Sequence, residues 1–68
     1  MDKYYVNNTS QPNGDHEVHK TGCYWLSLIV SKTDLGYHSG CTSAVGVAKI
    51  HHRQANGCKT CSPFCHTS

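Results

Sequence analysis

Apolar and polar positions along the chain mark out a series of short segments. Residues 3–6 (KYYV) are rich in Tyr and Val and read as an edge strand. Residues 7–14 hold three Asn, one Pro and one Gly without periodicity, which is loop composition. Residues 15–20 (DHEVHK) set His16 and Val18 against Glu17 and His19 in strand alternation, and Gly22 allows a tight turn into Cys23. Residues 24–30 (YWLSLIV) form the apolar centre of the sequence and, bounded by turn signals, read as a second strand. Residues 31–34 then form a turn into a third short strand at 35–38, making a hairpin-like pair.

One helix follows. Cys41, Ala44, Val45 and Ala48 recur at i, i+3, i+4 and i+7, and Ser39 is placed to cap the N-terminus. Gly46 weakens the pattern by about 1 kcal/mol against Ala. Asn56 and Gly57 form the stop signal, and residues 58–68 are too short for more than a knuckle.

Composition then exposes a deficit. Leu, Ile, Val and Phe supply eleven of the 68 residues. A chain of this size hides only about 60% of its unfolded surface, so a core this thin needs a staple. A membrane span and a large apolar active-site cavity are both excluded. Residues 24–30 and 41–48 carry most of the expected core. The net charge of +2 falls short of the dense basic footprint of a committed nucleic-acid binder. The only concentration is Lys49, His51, His52 and Arg53, read as a solvated helix end or as a phosphate-contacting patch.

Five Cys and six His indicate the staple. No apolar signal core follows Met1, so the expected location is the cytoplasm, where clustered Cys serve as metal ligands or catalytic thiols. The overlapping glycosylation triplets at 7–10 then read as loop composition. The odd Cys count argues against a fully paired disulfide framework. His19-x3-Cys23 and Cys58-x2-Cys61 are two chelating pairs separated by a segment long enough to fold back, the usual supply of a tetrahedral Zn²⁺ site. The expected ligands are therefore His19, Cys23, Cys58 and Cys61.

Alternatives remain at this point. Cys65 or His16 can replace His19 as the fourth ligand, and Cys58 with Cys61 can be a redox dithiol. Glu17 beside an open metal position can activate water, which would make a hydrolase. Cys61-x3-Cys65-His66 has a variant haem-attachment spacing, unsupported by any methionine beyond Met1. Cys41 reads as a small buried hydrophobe, with a Cys41–Cys65 disulfide accessible on oxidation. Tyr24 and Trp25 read as core residues, with a base-stacking platform as the other option.

These residues resemble the metal-binding domain of the Ada DNA-alkylation repair protein. The shared order is a ligand-x3-Cys pair, an apolar strand, a short strand, a Ser-capped helix, and CxxC-x-P at Cys58, Cys61 and Pro63. The resemblance spans residues 17–63. The whole chain, including NGDHEVH at 13–19 and CHTS at 65–68, is also similar to a group of short uncharacterised bacterial proteins. In the Ada family the first of four Cys accepts a methyl group from DNA phosphotriesters. His19 stands at that position, and imidazole is no such nucleophile, so the resemblance implies the zinc scaffold and DNA contact but not self-methylation.

The expectation is thus an α+β zinc-stapled domain with a short antiparallel sheet and one helix. Residues 1–14 form an N-terminal strand and polar loop, and residues 15–68 form a single Ada-like zinc domain. The expected protein is a monomer and a non-catalytic binding module, with nucleic acid as a partner class and no membrane contact.

Overall fold

A computed structural model describes residues 1–67. Its strands are β1 (Asp2–Asn7), β2 (His16–Lys20), β3 (Lys32–His38) and β4 (Ala55–Gly57), with one helix, α1 (Cys41–His51). Short 3-10 turns occur at Trp25–Leu28 and Pro63–Cys65. The α+β class is as expected.

The sheet order is β3-β1-β2-β4. β1 therefore lies inside the sheet rather than at its edge, antiparallel to both β2 and β3. β2 and β4 run parallel, with His16, Glu17 and Val18 opposite Ala55, Asn56 and Gly57, so the sheet is mixed rather than wholly antiparallel. Side chains reinforce the backbone ladder of that parallel pair. The buried Asp15 carboxylate accepts amide hydrogen bonds from Gln54 (2.8 Å), Asn56 (3.3 Å) and Asn13 (3.3 Å). β3 begins at Lys32 and absorbs most of the expected turn. Its register with β1 shifts between Tyr4 and Tyr5, and Lys3 reaches across to Asp34 at 2.6 Å.

One face of the sheet meets α1. Tyr4, Val6, Val18 and Leu35 pack there against Cys41, Ala44 and Ala48, with Ala55 closing the end. Alternation sends the residues between them to the other face, so His19, next to Val18 and opposite Tyr5, points away from the helix. Small alanines let α1 lie close to the sheet, and the core is correspondingly thin.

Several expectations change here. Residues 24–30 are neither a strand nor core: Tyr24, Trp25, Leu28 and Val30 are all exposed. The helix N-cap is Gly40 without a side-chain cap bond, so Ser39 does not cap it. α1 ends at His51 because His52 turns extended, and Asn56 and Gly57 belong to β4 rather than to a helix stop. No helix among the described residues is long and apolar enough to cross a membrane.

Candidate metal centre

His19, Cys23, Cys58 and Cys61 converge on the sheet face opposite α1, their ligand atoms all within 4.8 Å of one another. Each arrives by a local device. His19 is carried by β2, whose alternation aims it outward. Thr21 and Gly22 then reverse the chain, with Gly22 at φ +92° where a side chain would be strained, and the Cys23 N–H donates to Lys20 O at 3.0 Å. The parallel β2–β4 pairing delivers Cys58 beside His19, and the Cys58 N–H donates to Val18 O at 2.9 Å. The knuckle closes when the Ser62 N–H donates to Cys58 O at 2.8 Å, which returns Cys61 toward β2. There its sulfur accepts the Lys20 N–H at 3.4 Å.

The spacing between donors comes close to that of a coordination shell. His19 Nδ1 stands 3.6 Å from Cys23 Sγ and 3.8 Å from Cys61 Sγ, and the Cys23 and Cys58 sulfurs are 4.0 Å apart. Four N and S donors around one zinc stand about 3.5 to 3.8 Å apart along the tetrahedral edges. His19, Cys23 and Cys58 are buried and Cys61 is half-buried. The other imidazole nitrogen, Nε2, faces the Glu17 carboxylate at 3.7 Å, the type of partner that orients a metal-bound histidine.

The electrostatics favour a cation in this cluster. Burial, then the neighbouring Cys23 and Cys58 sulfurs, pushes the Cys61 thiol up to about 12, against the opposing pull of the Lys20 N–H. Burial holds the His19 imidazole below its ordinary 6.5, which leaves it neutral and able to ligate at neutral pH. The Cys61 thiol is thus hard to ionise without a positive charge beside it, which a divalent cation supplies.

The alternative ligands lie elsewhere. Cys65 is bonded to Cys41 in a disulfide with a Cα separation of 6.2 Å, which ties the start of α1 to the tail. Cys41 is thus a paired rather than a free buried thiol. His16 stacks on His52 with ring centroids 3.9 Å apart and donates from Nδ1 to Asn7 O at 2.9 Å. His66 donates from Nδ1 to Gly57 O at 3.1 Å. Trp25 donates from Nε1 to the Thr60 hydroxyl at 3.0 Å, a link to the knuckle that no sequence signal announces. Lys49, His51 and Arg53 are exposed at and just beyond the C-terminus of α1, where cations suit the helix dipole.

Comparison with family models, curated proteins and solved structures returns no match to this chain. The fold and the site define the class: a small α+β domain whose His/Cys cluster can hold a metal ion.

Proposed function

We propose that the chain is a structural zinc module in which His19 Nδ1 and the sulfurs of Cys23, Cys58 and Cys61 hold one Zn²⁺. One observation carries this reading. Donors from two stretches of chain far apart in sequence meet within 4.8 Å of one another, on the side of the sheet the apolar core leaves uncovered. Three thiolates and an imidazole favour zinc over magnesium or calcium, which take oxygen ligands. Such an ion supplies roughly 10–16 kcal/mol of apparent folding free energy, the scale a core of this thickness lacks.

Four donors complete a tetrahedral shell, which supports a structural role over a catalytic one. Hydrolysis through Glu17 would require an open coordination position for water. Native mass spectrometry with amide spectroscopy before and after chelation tests the reading. One zinc per chain and collapse of the amide spectrum on its removal are expected. A zinc-loaded protein whose spectrum survives chelation unchanged would refute the structural role.

The Ada resemblance adds nucleic acid as a partner class, and the exposed Lys49, His51 and Arg53 support it. Binding to duplex DNA should then weaken as salt rises. Absence of binding at low ionic strength removes that part of the reading.

A further inference from the structure

The most apolar stretch of the chain lies outside its core. Tyr24, Trp25, Leu28 and Val30 are 66, 48, 57 and 100 % exposed, in a protein already poor in apolar side chains. We propose that this surface, formed by residues 24–30, is where two copies of the chain pair about a twofold axis.

The segment is held in place rather than loose. It leaves Cys23 at the metal cluster, and Trp25 is tied to Thr60. Ser27 Oγ donates to Tyr24 O at 2.6 Å, and the Leu26 N–H donates to Cys23 O at 3.1 Å. At the far end Asn8 donates to Ser31 O from its backbone at 3.0 Å and to Ser31 Oγ from its side chain at 3.1 Å. The apolar groups are therefore presented in a preformed arrangement, which lowers the ordering cost of association.

The shape and charge of the surface suit a second copy. A groove of about 310 Å³ runs beside the segment, walled by Trp25, Leu28, Ile29 and Val30 together with Asn7 and Glu17. Projecting side chains and the recess that could receive them thus belong to one patch, as a self-complementary interface requires. No residue from 21 to 31 is charged, so apposing two copies brings no like charges together within the segment. Glu17, on the groove wall, is turned toward His19 Nε2. The four exposed residues present a few hundred Å² of mostly apolar surface, in the range of functional patches. A standard interface takes about 800 Å² from each partner, so this patch with a polar rim fits a weak to moderate dimer. The pairing departs from the monomer expected from the sequence.

Sedimentation equilibrium from about 1 µM to 1 mM protein, with zinc content measured on the same samples, tests the proposal. A reversible monomer–dimer equilibrium is expected. Leu28→Asp should raise the dissociation constant roughly a hundredfold or more, because a twofold axis counts the lost contact twice. Ile50→Asp, at another exposed apolar position on α1, should leave it unchanged. A wild-type monomer throughout this range overturns the proposal, as does a Leu28→Asp variant that pairs as tightly as the wild type. A zinc-loaded monomer refutes the dimer and leaves the metal reading standing. A dimer lacking zinc does the reverse.

Discussion

Replacing Gly57 with Ala should cripple the domain through one misplaced methyl group. Gly57 ends β4 immediately before Cys58, and the knuckle folds back over it. A Cβ at this position would lie 2.7 Å from Cys65 Cβ, 2.8 Å from Ser62 O and 2.9 Å from Cys65 C. None of these atoms can yield cheaply. Ser62 O is backbone, in a residue whose N–H closes the turn onto Cys58 O, and Cys65 is bonded to Cys41 on α1. The cost therefore falls at the upper end for overpacking, about 3 kcal/mol. In a domain of this size that lowers Tm by more than about 10 °C. Moving Ser62 also moves Cys61, so zinc affinity should fall with stability. Gly46 is the internal control: it is exposed on α1, and a Cβ there meets nothing within 4 Å. Gly46→Ala should therefore stabilise by about 0.5–1 kcal/mol, the opposite sign for the same chemical change. Urea denaturation of the zinc-loaded variants reads both effects. A Gly57→Ala protein within about 0.5 kcal/mol of the wild type would show that the knuckle does not close on β4 as described.

Three further outcomes are expected. Cys41→Ser should retain zinc but lose about 3 kcal/mol, because the disulfide spans 24 residues and no longer restricts the unfolded chain; loss of zinc in this variant would show that the two staples are not separate. Zinc loading should release the proton of the Cys61 thiol, which is raised and so protonated at neutral pH without metal, so affinity climbs with pH; calorimetry in buffers of different ionisation enthalpy measures this, and an affinity that does not vary between about pH 6 and 8 contradicts it. Burial, then the nearby His16 and His51, holds His52 below its ordinary 6.5. The unfolded chain then binds that proton more readily, so the stabilisation is present above 6.5 and lost as pH falls through the folded-state value. His52→Gln should flatten the acid side of the Tm profile, and an unaltered profile would remove the His16–His52 stack as its source.

Metal-ligand spacing made the cluster legible in the sequence. Chelation requires short separations, and His19-x3-Cys23 and Cys58-x2-Cys61 have them whatever the intervening fold. α1 was equally readable, because its buried face repeats every three to four residues through Cys41, Ala44 and Ala48. Residues 24–30 were misleading for a physical reason. Reading an apolar run as a strand assumes that it is buried, and here the run is spent on the surface beside the metal cluster. The parallel β2–β4 pair was hidden because it depends on Asp15 reaching Gln54 and Asn56 about forty positions away, a contact that no local pattern encodes. β1 lies inside the sheet for a separate non-local reason, its pairing with β3, which joins Asp2 to His38 and Asn7 to Lys32. Cys41 looked like a core residue because it is one by burial, and the Cys41–Cys65 disulfide, open in the sequence as an alternative, is the pairing the fold contains.

X-ray absorption at the zinc edge of the loaded protein tests the central claim most directly, because it counts the donor atoms around the ion. Three sulfurs at about 2.3 Å and one nitrogen at about 2.0 Å are expected from Cys23, Cys58, Cys61 and His19. A shell of four sulfurs, or one containing oxygen, would contradict the assignment.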